Sequence, residues 1–449
     1  MDGIMKKLEK ILMPLAEVIG KNKYLIAIRD GFLISTPLLI IGSLFLLIAN
    51  FPIPGWDSFF AKFLGEGWAA KFAVPAACTF DVMTILAVIG IGYSLAKQVN
   101  VDAIQASVIG LVSFLIITPS KIDFKPEGLD TVYKVTGIPY AWVGSKGLFL
   151  GMIVAIVAVL IFEKISKKGW VIKLPAGVPP TVAKSFEALI PGFVVITVFF
   201  VINWIFSVTS FGSAHAFIFK ILQVPLLKLG NTLPAMVIAY LFLHGFWFFG
   251  INGGSVVGAV FNPVLRTLSI ENLDAFKNGM PSPNIICQEF QDLFATFGGA
   301  GSTLSLLIAI LIICKSQRVK KIGELALLPG IFGINEPIIF GLPIMLNPIM
   351  LIPFALVPTI NIIISYFAMS SGLVPLTKGI SVPWTTPPII SGFLVSGWQA
   401  SVLQALLLVL GVLIYAPFIK MVDNQYLAEE KAALEKEEDD DLNFDDLEL

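Results

Sequence analysis

Long apolar runs separated by short polar segments dominate the chain. They fall near residues 25–50, 72–96, 102–118, 147–163, 186–209, 231–250, 251–270, 292–314, 346–370 and 400–422. A helix needs about 20 predominantly apolar residues to cross a bilayer. The pattern therefore predicts an all-α polytopic membrane protein with about ten transmembrane helices. The 251–270 run is the weakest, because Asn252, Asn262-Pro263 and Arg266 interrupt it, and it reads equally as a re-entrant hairpin. Two more apolar runs, 323–345 and 380–397, are broken by Pro and Gly and read as re-entrant hairpins. Segment 211–229 sets Lys220 and Lys228 among apolar residues and reads as an interfacial amphipathic helix. Residues 1–24 are lysine-rich, too polar for a cleaved signal peptide, and read as a cytoplasmic amphipathic segment feeding the first span.

Composition agrees with a membrane protein. Of 449 residues, 56% are hydrophobic and 14% charged, against roughly 25% charged in soluble domains. The mean hydropathy is +0.87. Basic residues near span ends set orientation. Lys6, Lys7, Lys10, Lys21 and Lys23 precede the first span; Lys164, Lys167, Lys168 and Lys173 follow the fourth; Lys315, Arg318, Lys320 and Lys321 follow the eighth. An even number of crossings puts these clusters and both termini in the cytoplasm. The 119–146 loop opposes this with Lys121, Lys125, Lys134 and Lys146, mixed with Asp123, Glu127 and Asp130. The polar segment 164–185 divides plain spans from broken ones. The expected organisation is a scaffold and dimerisation domain over 25–185, a substrate-binding and transport domain over 186–427, and an acidic flexible cytoplasmic tail, 428–449, dispensable for transport.

The candidate chemistry lies in the second half. Gly333-Ile334-Asn335-Glu336-Pro337 places a carboxylate in an apolar segment that cannot form a simple helix, since Pro337 and Pro343 lack N–H groups and Gly333 and Gly341 loosen the backbone. A charge at membrane depth is costly and by default faces a cavity, a partner or a substrate path. Trp247 lies between His244 and Asn252, and Trp384 lies in Val382-Pro383-Trp384-Thr385-Thr386. An aromatic face offers a platform for the C–H side of a sugar ring, while amides and carboxylates bind its hydroxyls. The candidate substrate-binding residues are thus Trp247, Asn252, Asn335, Glu336, Trp384 and His244, with Glu336 also the candidate catalytic base. His215 reads as a surface residue, and Cys78, Cys287 and Cys314 as small apolar packing residues. No phosphate loop, metal-binding cluster, voltage-sensor pattern or potassium-filter sequence occurs, so no cofactor, metal or nucleic-acid partner is expected.

The string GINEPIIFGLPIMLNP at 333–348 resembles the signature of the membrane component, IIC, of bacterial sugar phosphotransferase systems, within the lactose/cellobiose/diacetylchitobiose family. Further matches occur in order along the chain: Ala27-Ile28-Arg29-Asp30-Gly31-Phe32, Gly144-Ser145-Lys146-Gly147-Leu148-Phe149, Gly177-Val178-Pro179-Pro180 with Ser185-Phe186, and the stretch from Val382 to Gly392. The resemblance implies a homodimer of ten-span protomers with two re-entrant hairpins in the bacterial plasma membrane, in contact with lipid. It also implies a β-linked disaccharide substrate and a separate cytoplasmic phospho-IIB protein that donates phosphate from a phosphocysteine. On this reading the chain is the membrane subunit of a protein-phosphocysteine–sugar phosphotransferase complex, with no phosphoryl-donor site of its own. The family's carboxylate falls on Glu336 and its sugar-facing tryptophans on Trp247 and Trp384. Where the family usually reads Gly-Ile-His-Gly, this chain has Gly250-Ile251-Asn252-Gly253. Asn252 cannot carry a proton at neutral pH. The rival class is a proton-coupled secondary transporter in which Glu336 binds the proton.

Overall fold

The computed structural model describes residues 21–51, 55–124, 131–175, 177–342, 344 and 347–445, together with Pro14 and Val18. Most of the expected amphipathic segment 1–24, and Pro343, lie outside the described residues. Helix α1 (Lys23–Ala49) begins at Asn22, whose side chain accepts from the Tyr24 and Leu25 amides. It packs on α2 (Met83–Gln98), which in turn packs on α3 (Ala103–Ile117) and α4 (Leu148–Lys167). Between bilayer-embedded helices, lipid supplies no hydrophobic drive, so close packing and small residues do the holding. At the α1–α2 contact a Cβ on Gly90 would collide with the Gly31 carbonyl, so only glycine permits the approach.

Next come α5 (Pro180–Glu187) and α6 (Leu189–Ser207), the helical stretch Ala214–Gly230, α7 (Leu233–Phe248) and α8 (Gly253–Lys277). The remaining elements are α9 (Thr303–Ile313), α10 (Gln317–Ile331), α11 (Glu336–Gly341), α12 (Pro348–Ser370), α13 (Ile390–Ser396) and α14 (Trp398–Asp445). Among the described residues, seven helical segments are long and apolar enough to cross a membrane. They become eight if Ala214–Gly230 and α7, bent by 76° against each other, form one span. This is fewer than the ten expected. Helix α3 has only 15 residues, and α8 carries too many polar residues to qualify by composition. The described residues are all-α apart from a two-stranded antiparallel hairpin in the 119–146 loop, β1 (Lys121–Phe124) with β2 (Tyr133–Thr136), in which Ile122 faces Val135.

Two local expectations fail. His215 is buried at 1% exposure, with Nε2 3.0 Å from Thr118 Oγ1 and its ring against Trp142; the 211–229 segment turns this face into the protein. Cys287 and Cys314 are buried as expected, but Cys78 is exposed.

Helix α14 outruns its apolar stretch and reaches back to the loop that opens α10. Asp423 accepts from the backbone amides of Lys315 (2.8 Å) and Ser316 (2.9 Å), satisfying donors at a helix start. About two turns further on, Glu430 Oε1 accepts from Ser316 Oγ (2.6 Å) and the Arg318 amide (3.2 Å). The Arg318 guanidinium lies 4.7 Å from the Tyr426 ring. The start of the acidic tail thus holds α10 in place. The hydrogen bonds from Ser316 and Arg318 lower the Glu430 carboxyl below its ordinary value. A depressed folded-state value means that this contribution is complete above the unfolded carboxylate range and fades as pH falls through the folded one. Glu430→Gln is therefore expected to lower the melting temperature of purified protein at neutral pH, with the difference from the parent closing below about pH 4. A chain ending at Ala428 should melt earlier than one ending at Ala432. Equal melting of the two truncated chains would remove the clamp.

Candidate functional site between broken hairpins

The segment that would have been one span at 288–313 is broken near its middle. It opens with a short helix at Gln288–Phe290 and a π-helical turn at Gln291–Ala295, leaves helical geometry at Thr296, and passes a 3-10 turn at Ala300–Ser302, itself broken at Gly301, before α9 begins at Thr303. Three glycines, Gly298, Gly299 and Gly301, and Ser302 have positive φ. At Gly301, φ is +77° and a Cβ would strike the Phe354 ring, so no other residue fits. Backbone groups exposed by such a break must find partners, because the bilayer offers none. Here side chains from four other parts of the chain supply them. Gly301 N–H donates to His244 Nε2 (2.9 Å), Tyr415 donates to the Gly301 carbonyl (2.6 Å), and Asn335 Nδ2 donates to the Ala300 carbonyl (2.9 Å). Asn361 Nδ2 donates to the Ala295 carbonyl (3.2 Å) and to Ser302 Oγ (3.0 Å).

The 380–397 segment is broken in the same manner. Ile389 has φ +74°, a strained value for a β-branched residue. Gln404 of α14 holds it: Oε1 accepts from the amides of Ile389 (2.6 Å) and Gly392 (3.0 Å), and Nε2 donates to the Leu293 carbonyl (2.7 Å). One side chain thereby joins this hairpin to the π-helical turn of the other broken segment.

A cavity of about 200 Å³ opens where the broken segments meet, lined among others by Gln291, Asp292, Gly299, Gly333, Trp384 and Thr386. Trp384 is 56% exposed and rests against Gly333, where a Cβ would come within 3.0 Å of the indole. Asp292 accepts from Gln288 Nε2 (2.9 Å), and Gln291 Nε2 donates to Asn262 Oδ1 (3.3 Å), which fixes both side chains at the wall. Behind them, Glu289 is 4% exposed and accepts from Ser269 Oγ, and Arg266 donates to Thr36 Oγ1 (3.3 Å) while interacting electrostatically with Asp292 and Glu289. Such a wall offers carboxylate and amide groups beside one aromatic face, a lining suited to a polyhydroxylated ligand. Among the described residues no group of His, Cys, Asp and Glu is arranged to hold a metal.

The residues singled out from the sequence occupy different places around this cavity. Trp384 lines it. Glu336 starts α11, exposed, three residues beyond the lining residue Gly333, and its side chain has no partner among the described residues. Asn335 is 5% exposed and spends its amide on Ala300. His244 is fully buried: Nδ1 lies 2.7 Å from the Tyr240 carbonyl and Nε2 takes the Gly301 amide. A carbonyl only accepts and an amide only donates, so the imidazole is neutral with its proton on Nδ1. Trp247 is half-buried against the core around α9 and α14. Asn252 is exposed and caps α8, accepting from the Ser255 amide at 2.9 Å. Gln291 and Asp292 were missed from the sequence. The available signal was weaker than at Glu336: a pair of carboxylates, Glu289 and Asp292, at the border of an apolar run.

Comparison with known proteins accounts for this arrangement. The phosphotransferase system EIIC family model matches residues 29–358. The chain is 44% identical over 437 residues to the cellobiose-specific EIIC component of Geobacillus stearothermophilus, covering 96% of this chain and 97% of that protein. It is 42% identical over 433 residues to the lichenan permease IIC component of Bacillus subtilis, with 96% of each covered. Its fold matches the crystal structure of the transporter ChbC, the IIC component of the N,N'-diacetylchitobiose-specific phosphotransferase system, with a TM-score of 0.92 and 44% identity over 94% of this chain and 99% of that one. A multi-pass helical membrane protein with paired broken segments and end-to-end similarity to these permeases, the chain belongs to the EIIC family of phosphotransferase systems, in its lactose/cellobiose/chitobiose branch.

Proposed function

We propose that this sugar permease carries a β-linked disaccharide of the cellobiose class into the cell and presents a hydroxyl to a separate phospho-IIB protein. The cavity carries the reading: Trp384 supplies a stacking face, Asp292 and Gln291 supply hydroxyl partners, and Glu336, exposed and without a side-chain partner among the described residues, starts the adjacent helix α11. Glu336 acts as general base for the attacking hydroxyl, and the cavity aligns it. Phosphoryl transfer demands chiefly positioning and charge stabilisation, and the donor phosphocysteine comes with the partner. The relatives' names point to cellobiose, lichenan and diacetylchitobiose as their own substrates, which supports a β-linked sugar here. Residues 25–185 form the scaffold of a homodimer and 186–427 move against it in alternating access. In this organisation α3 and α8 complete ten spans, the two hairpins are re-entrant, and both termini are cytoplasmic. The test is uptake of radiolabelled cellobiose by membrane vesicles: accumulation as sugar phosphate must require the phosphoryl-donor chain. Accumulation of free sugar driven by a proton gradient alone would replace this reading with a proton symporter.

Three substitutions follow from the site. Glu336→Gln should leave sugar binding and melting near the parent while lowering phosphorylation by roughly 10²–10⁴-fold, the span of general-base catalysis; parental turnover would end the base assignment. Trp384→Ala should weaken disaccharide binding by at least about tenfold, or about 1.4 kcal/mol, with the melting temperature almost unchanged because the ring is more than half exposed. Calorimetric titration beside a thermal melt separates that outcome from a stabilising role. Asn252→Ala should cost about 1 kcal/mol of stability through the lost cap, whereas Asn252→Asp keeps it. If sugar affinity falls in both variants, Asn252 contacts substrate; if only the alanine variant suffers, its role is the cap.

A further inference from the structure

At the face where α4 begins, opposite the Lys164–Lys168 end, a second cavity of about 350 Å³ lies between the two halves of the protein, lined among others by Asp81, Tyr140, Lys146, Asp274, Lys277 and Asn278. Asp81 precedes α2 and Lys146 lies in the 3-10 turn before α4; Glu271, Asp274 and Lys277 belong to the last turns of α8. Lys277 Nζ is 2.6 Å from Asp81 Oδ1, both side chains only about a quarter exposed at 23% and 25%. Lys146 acts electrostatically on Asp274 and on Glu271. Each half thus places one acid and one base at this cavity, with Asp274 coupled to Lys277 of its own helix ahead of Lys146. Each half is also braced separately. Thr84 donates to the Gly144 carbonyl (2.5 Å), which ties the Lys146 turn to α2. Asn272 donates to the carbonyls of Asn284 (2.9 Å) and Thr377 (3.1 Å), which ties α8 to the second half. The Asp81–Lys277 pair thus spans the two halves, beside the hydrogen bonds from Gln223 to the Ser145 carbonyl and from Arg266 to Thr36, which also cross between them.

We infer that the Asp81–Lys277 ion pair is an electrostatic latch that closes the extracytoplasmic face in this conformation and must part before that face opens. The inference rests on the alternating-access reading above. A partly buried pair holds firmly because neither charge is fully screened, yet it separates at modest cost when water enters. That balance suits a gate that opens and closes in every cycle.

Site-directed labelling tests it without sugar. In a Cys78→Ser background, Ser145→Cys places a thiol on the wall of this cavity, at a position 6% exposed in the closed state. Intact cells are treated with a membrane-impermeant maleimide. Asp81→Asn and Lys277→Met are each expected to speed labelling several-fold, Lys277→Arg to leave it parental, and the exchange Asp81→Lys with Lys277→Asp to restore slow labelling. Parental rates in both single variants would overturn the latch. So would an exchange variant that labels as fast as the singles, because lost fit and not lost attraction would then have opened the seam. Labelling that shifts as expected in a protein that transports no disaccharide would count against the permease assignment alone.

Discussion

The structure depends on one requirement: every backbone group freed by a broken helix inside the bilayer must be given a partner by the protein itself. The loop at 296–302 exposes such groups at the centre of the second half. His244, Asn335, Asn361 and Tyr415 answer them from α7, the turn before α11, α12 and α14. These long-range bonds decide where four elements stand relative to the cavity. Gln404 performs the same service for Ile389 and Gly392. The site is therefore a by-product of satisfying the breaks: the elements converge on the loops, and the space left between loops becomes the cavity.

This explains why several polar residues near the site are unavailable to a ligand. His244 has both ring nitrogens committed, so a substrate or a proton could reach it only by displacing Gly301 or Tyr240. Asn335 likewise donates to the loop backbone. Trp384, Asp292 and Glu336 differ in kind: their side chains leave a face or an oxygen free. A buried polar residue in a membrane protein is functional by default, but its function here is as often to hold the scaffold as to touch substrate.

Much of the architecture was legible in the sequence because apolar run length and Pro/Gly breaks act locally. The breaks at 333–337 and 383–388 appeared where expected, and Trp384 in the second of them lines the cavity. The break inside 292–314 was not legible, since Gly298-Gly299-Ala300-Gly301 lies in a run whose mean apolarity hides it. Asp292 escaped for the related reason that it borders the run instead of interrupting it. His215 was misplaced because a lone His beside lysines looks like surface, while its burial depends on Thr118 and Trp142, 97 and 73 residues away in sequence. Periodicity carries no information about such pairings. The cap role of Asn252 is the opposite case: it is local, because Asn is a preferred residue at the position just before a helix.

The broken segments 288–313 and 380–397 are both fastened to one helix, by Gln404 and Tyr415 of α14. Eleven residues separate these anchors, close to three turns of α-helix, so they point the same way about 16 Å apart along the axis. Helix α14 therefore works as a ruler with two fixed marks. Losing or gaining a single residue between the marks would swing one anchor by about 100° around the helix and release a hairpin. The 404–415 interval should accordingly tolerate exchanges of lipid-facing side chains freely and changes of length hardly at all, whichever sugar a member of this family carries.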